Sequence, residues 1–156
     1  MYPLPAVTQR VESWPTEVAR FQIAMDQPIG YLTQATTPQQ MLLAEKLMTE
    51  EIKEMSLGWR RLKDSQSLEN ITEFVDGAID TIYVILWTLN TMGVPAEQCF
   101  QEVQRSNMAK LWPDGTCHKN EFGKVQKPPG WTPPDLLGIL ADFKMPATFK
   151  NGVRNN

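Results

Sequence analysis

At 156 residues the chain has the length of one globular domain, enough to bury roughly two thirds of the surface its unfolded form exposes. An apolar fraction of 42% and a charged fraction of 21% are those of a folded protein, and a net charge of −3 excludes the global basic field that draws a protein to nucleic acid. No run approaches the ~18 apolar residues of a membrane span, and the start MYPLPAVTQRVESW lacks the charged-then-apolar order of a secretory leader. Cys99 and Cys117 are too few for a disulfide framework, although one pair is open to them. These features predict a single cytoplasmic domain over 1–156 with no nucleic-acid or membrane partner.

Four helical stretches and an irregular arm follow. The first runs from about Pro15 to Met25, with Val18, Phe21 and Met25 at helical spacing and Pro28-Ile29-Gly30 as its stop. Thr37-Pro38, a capping residue followed by a proline pre-set for the first helical position, opens the second. It continues through Met41, Leu43, Leu47, Ile52 and Met55 to about Leu62. The polar break KDSQSLEN precedes a third helix, about Ile71 to Met92, closed by Gly93, and Pro95 opens a fourth that carries Phe100 and Val103 to about Lys110. The helical core spans about 15–111 and a Pro- and Gly-rich arm about 112–156. In the arm Asp114-Gly115 and Phe122-Gly123 are turn signals that permit a short hairpin between them, a last short helix spans Pro134 to Phe143, and the end is frayed. The fold class is all-α, a four-helix-type bundle with an irregular carboxyl-terminal arm.

The acids are unusually placed. Glu50, Glu51 and Glu54 fall within roughly 100° of helical arc, at about 100° per residue, beside Leu43, Leu47, Met48 and Leu57. They interrupt an apolar stripe that reads as buried. Glu73, Asp76 and Asp80 recur at spacings of three and four on the third helix, on a face that continues into Tyr83 and Trp87. An acid run on a helix is ordinarily a solvated face, but here two triplets sit on adjacent antiparallel helices. Each close pair of carboxylates repels by about 4 kcal/mol at ~4 Å for an effective dielectric near ~20, so such a cluster needs cations or protons to persist. All-oxygen ligands select hard ions, Mg²⁺, Mn²⁺ or Ca²⁺, and paired helices with projecting carboxylates are how bundles build multinuclear sites. A di-iron site expects a histidine three residues after a glutamate, and His118 is the only histidine.

The pattern Glu50-Glu51-x-x-Glu54, then Glu73-x-x-Asp76, resembles the MazG-like all-α nucleoside triphosphate pyrophosphohydrolases. The later run Arg105-Ser106-Asn107-Met108-Ala109-Lys110-Leu111, with Asp114-Gly115, Gly123-Lys124-Val125, Lys127 and Pro133-Pro134-Asp135-Leu136, is similar to a phage and bacterial branch labelled phosphoribosyl-ATP pyrophosphohydrolase-like. Together these cover about Val18 to Leu136. The resemblance implies Mg²⁺- or Mn²⁺-dependent cleavage of a (deoxy)nucleoside triphosphate to the monophosphate and pyrophosphate, with two or three ions per site. Such an activity cleans or shapes the nucleotide pool, a purine such as dGTP being one candidate substrate, in a bacterial cytoplasm or in the host cytoplasm for a phage protein. Carried over by position, Glu50, Glu54, Glu73 and Asp76 are metal ligands, and Glu51 orients or deprotonates the attacking water unless it too binds metal. Asp80 lies outside the shared motif and is read as a substrate contact, to the sugar or behind the metals.

Lys110, Lys124 and Lys127 are candidates to hold the phosphates, against the alternative of solubilising surface lysines. Asn107 is a candidate sugar or base contact, against a helix carboxyl-terminal cap. Arg60 and Arg61 read as surface residues, and Cys99, Cys117 and His118 fall short of a zinc site. Of five tryptophans most read as packing, while one or two are candidates to stack on a nucleobase. The third helix, with Ile82, Ile85 and Trp87, carries more apolar surface than its own partners cover, which predicts a homodimer or a dimer of dimers. Two other readings stand beside the broad pyrophosphohydrolase: a narrow dUTP or dCTP pyrophosphatase on the same site, and a non-catalytic helical interaction module.

Overall fold

The computed structural model describes residues 12–143 apart from residue 33. Among them the helices are α1 (Trp14–Ala24), α2 (Pro38–Asp64), α3 (Leu68–Met92), α4 (Ala96–Met108) and α5 (Leu136–Asp142), and no strand is present. The architecture is all-α, as the periodicity predicts. The amino-terminal segment read for a leader and the end read as frayed lie outside the described residues. The chain divides into two compact units, Met1–Gly93 and Val94–Asn156.

Local signals explain where the first unit's helices start. The Thr37 hydroxyl accepts from the Gln40 N–H at 3.3 Å while the Gln40 side chain accepts from the Thr37 N–H at 2.8 Å, a reciprocal cap on α2. Helix α3 begins at Leu68, three residues before the expected Ile71. The reason is Ser67, whose hydroxyl accepts from the Asn70 N–H at 3.3 Å and so draws Leu68, Glu69 and Asn70 into a first turn. The same helix stops at Gly93, left-handed at φ 70°, as expected.

Helices α1 and α2 both pack on α3. Val18, Ala44 and Trp87 form the buried centre, with Leu47, Met48, Tyr83 and Leu86 against it. A polar seam fastens α1. Gln22, fully buried, donates to the Thr91 hydroxyl at 3.1 Å and to the Pro28 and Trp87 carbonyls at 3.3 Å, and accepts from Asn90 at 3.0 Å. A buried amide with every polar atom engaged fixes one packing of two helices. Trp87, expected on an outward oligomer face, is instead in this core at 4% exposure, its indole N–H donating to Gln27 at 2.7 Å.

Two glycines set how closely α2 and α3 approach. A Cβ on Gly58 would stand 2.8 Å from the Phe74 Cα, and one on Gly77 would stand 2.6 Å from the Met55 nitrogen. The helices therefore touch backbone to backbone. Gly77→Ala is expected to destabilise the fold by about 1–3 kcal/mol in chemical denaturation, the scale for overpacking against atoms that cannot move aside. An unchanged midpoint would mean the helices part at little cost.

In the second unit the arm returns to α4. The Trp131 indole N–H donates to the Ser106 carbonyl at 2.8 Å, the buried Ser106 hydroxyl donates to the Thr132 carbonyl at 3.1 Å, and the Asp135 N–H donates to Glu102 at 2.9 Å. Asp135 also caps α5, accepting from the Gly138 N–H at 2.9 Å. The hairpin is a single bridge, Lys119 with Val125, closing around the second turn and not between the two. Asn120 explains the shift: its side chain accepts from the Phe122 and Lys124 N–H groups at 3.0 and 2.9 Å.

Glu102 accepts two bonds from the Arg105 guanidinium, both at 2.7 Å, and with the Asp135 N–H these hold its carboxyl down to about 2. A carboxyl depressed in the folded state contributes stability that is present above the ordinary carboxylate range and lost as pH falls through the depressed value. Carboxyl NMR is expected to find Glu102 ionised at pH 3 and titrating near about 2. A midpoint near the ordinary value would show the fork open in solution.

Candidate active site

The glycine contacts put α2 and α3 in one antiparallel register. Gly58 lies against Phe74 and Gly77 against Met55, so counting outward places Glu51 level with Thr81, the residue after Asp80, and Glu73 level with Trp59. Helical geometry then gathers the acids on one side of the pair. On α3, Glu73, Asp76 and Asp80 lie roughly opposite the arc of Ile71, Val75, Ile79, Ile82 and Ile85.

Glu51 is the half-buried member, while Glu50, Glu54, Glu73, Asp76 and Asp80 are exposed. Desolvation pushes the Glu51 carboxyl up from its ordinary value, and the charges of Asp80, Glu54, Glu50 and Asp76, in that order, push it further. Five of the six acids singled out in the sequence thus share one electrostatic site. The neighbouring leucines expected to be buried are open: Leu43 is 45% and Leu57 46% exposed. Asp80, set apart in the sequence as a substrate contact, is the strongest charged neighbour of Glu51. Glu73 is not among the charges acting on Glu51 and accepts from the Arg61 guanidinium at 2.5 Å, so Arg61, read as a plain surface residue, is an anchor across the helix pair. Glu50 lies 3.9 Å from Lys46, an exposed contact of little energy.

No three His, Cys, Asp or Glu side chains among the described residues converge closely enough to hold one metal ion. The donor set nevertheless fits a hard divalent cation: all-oxygen, anionic and carried on two helices in close contact. A cation would also lower the raised Glu51 carboxyl. Cys99 and Cys117 are free thiols, and burial pushes Cys99 up.

The remaining candidates lie in the second unit, three of them around one ring. The Lys110 ammonium donates to the Asn107 side-chain oxygen at 2.7 Å and stands 5.9 Å from the centre of the Trp131 ring, and the Lys127 ammonium lies over that ring at 3.9 Å. Lys124 joins the Asn120 turn through its backbone N–H, and its side chain is exposed. Trp112 stacks on His118 with centroids 4.0 Å apart. Three features escaped the sequence reading: Gly58 and Gly77, the Arg61–Glu73 pair, and Gln22. The glycines carried a signal, since each interrupts a helical segment within four residues of an acid motif.

A family model described as phosphoribosyl-ATP pyrophosphohydrolase matches residues 18–107, more than half of the chain. The matched span contains both acid triplets and ends before Lys110, Lys124 and Lys127. No curated protein matches the chain. No helix among the described residues is long and apolar enough to cross a membrane. The matched family is one of hydrolases acting on a nucleotide phosphoanhydride with release of pyrophosphate, and it falls within the MazG-like all-α nucleoside triphosphate pyrophosphohydrolases. With α2, α3 and their opposed carboxylates inside the match, the chain belongs to the phosphoribosyl-ATP pyrophosphohydrolase family.

Proposed function

We propose that this protein hydrolyses a (deoxy)nucleoside triphosphate to the monophosphate and pyrophosphate, using Mg²⁺ or Mn²⁺, and so cleans or shapes the nucleotide pool. The observation that carries the reading is the gathering of Glu50, Glu51, Glu54, Asp76 and Asp80 beside a close, glycine-mediated helix crossing inside the span that the family model matches. Glu50, Glu54 and Asp76 would hold two or three ions, Asp80 belongs with them by proximity to Glu51, and Glu73 would join on release from Arg61. Bound divalent ions clamp phosphates and lower the pKa of a water. Glu51 would accept that water's proton, as the one half-buried carboxylate in a group whose other members are exposed. Asn107, Lys110, Lys124 and Lys127 would bind the substrate. The family description names one substrate, and base and sugar preference is a separate property of the pocket.

Pyrophosphate release measured across the common ribo- and deoxynucleoside triphosphates, with Mg²⁺ and with EDTA, tests the reading. Turnover is expected with metal alone. Activity confined to dUTP or dCTP would give the narrower enzyme, and no metal-dependent activity would leave a helical interaction module. Glu54→Gln and Asp76→Asn are each expected to abolish turnover while circular dichroism stays unchanged. Full activity in either would remove that residue from the metal shell.

The working unit is proposed to be a homodimer, or a pair of them. Ile71, Val75, Ile79, Ile82 and Ile85 are each 38–51% exposed in one chain and share roughly 120° of arc on α3. That stripe lies away from the acids, so pairing through it leaves each site open.

A further inference from the structure

We propose that Trp131 is a stacking platform for a nucleotide's base within the second unit and that Lys127 covers it until the nucleotide binds; this rests on the nucleotide reading above. The ring is fixed before any ligand arrives. Its indole N–H is tied to the Ser106 carbonyl at 2.8 Å, and Ser106, 1% exposed, holds the next arm residue, Thr132, at 3.1 Å. A pinned indole gives a large flat contact at little ordering cost.

What lies on the ring points to the ligand. Lys127 at 3.9 Å and Lys110 at 5.9 Å bring two ammonium groups to one indole, and among the described residues neither has a carboxylate partner. Two like charges drawn to one ring make a site for an anion attached to something flat. A nucleotide satisfies both demands. Its phosphates take the ammonium groups, and its base takes the ring face that Lys127 gives up. Stacking on an indole accepts any base, so the platform adds affinity for nucleotides as a class.

The test is calorimetry on the full chain in EDTA, which separates binding from hydrolysis, with dATP, dGTP, dCTP, dUTP and inorganic tripolyphosphate as probes. Trp131→Ala is expected to weaken nucleotide binding roughly 10-fold or more and tripolyphosphate less than twofold. Lys127→Ala should weaken tripolyphosphate clearly. Trp131→Phe, which keeps a ring but loses the bond to Ser106, should hold more nucleotide affinity than Trp131→Ala. Equal losses in the two Trp131 variants would make the ring a structural pin. Nucleotide binding unaffected by Trp131→Ala, or no nucleotide binding by the wild type, would also overturn the platform. Hydrolysis in the nucleotide panel without any of these binding effects would leave the enzyme reading standing and remove this inference alone.

Discussion

Glu51→Gln is expected to move stability and activity in opposite directions. In the metal-free protein the melting temperature should rise, because the substitution removes the one charge that is both desolvated and surrounded by Asp80, Glu54, Glu50 and Asp76. A glutamine of nearly the same shape keeps the packing between α2 and α3 and discards the repulsion. With metal and substrate present, kcat should fall roughly 10²-fold or more, the usual scale for loss of a general base. Metal affinity by calorimetry should be nearly unchanged. A large loss of that affinity would instead make Glu51 a ligand, and a lower melting temperature would show that the carboxylate makes a favourable contact that outweighs its neighbours. Strain of this kind is common at functional sites, where stability is given up for reactivity.

Ile82→Asp should have the second large effect. Ile82 sits at the middle of the α3 stripe and is 38% exposed in the single chain. If a second copy covers it, the aspartate carries an uncompensated charge into a dry interface, at a cost of several kcal/mol. At ~1.4 kcal/mol per tenfold, pairing should weaken by roughly 10²-fold or more. Sedimentation at micromolar concentration is expected to give a dimer or larger for the wild type and a monomer for the variant. A wild type that sediments only as a monomer would refute the paired state. Because the stripe faces away from the acids, any activity lost by the monomer would report on stability and not on a ligand removed from the site.

Much of this was legible in the chain because the signals are local. Thr37-Pro38 and Gly93 announce helix ends through groups a few residues away, and the helical period alone puts Glu51 with Glu50 and Glu54, and Asp76 with Asp80. What depends on the register between helices was not legible. Asp80 belongs beside Glu51 and Glu73 two turns away because Gly58 meets Phe74 and Gly77 meets Met55, and no intrahelical spacing encodes that pairing. The fate of Trp87 was hidden for the same reason: a tryptophan on an apolar helix reads alike whether it turns toward Gln27 or outward. Lys127 and Trp131 are legible together because they share one short arm segment; that Lys110, just past the end of α4, meets the same ring depends on how the arm folds back.

The glycine contacts between α2 and α3 also bear on ion discrimination. A helix pair already touching through its main chain cannot close further around a small ion. Oxygens sit at about 2.0–2.1 Å from Mg²⁺ and at about 2.3–2.6 Å from Ca²⁺. If these acids hold the proposed ions, carboxylate torsions would absorb much of that difference, over three rotatable bonds in Glu50 and Glu54 but only two in Asp76 and Asp80. In such a site the glutamates of α2 would be the adjustable half and the aspartates of α3 the stiffer one. Lengthening one of those aspartates, as in Asp76→Glu, would change which radius is tolerated without adding or removing a charge.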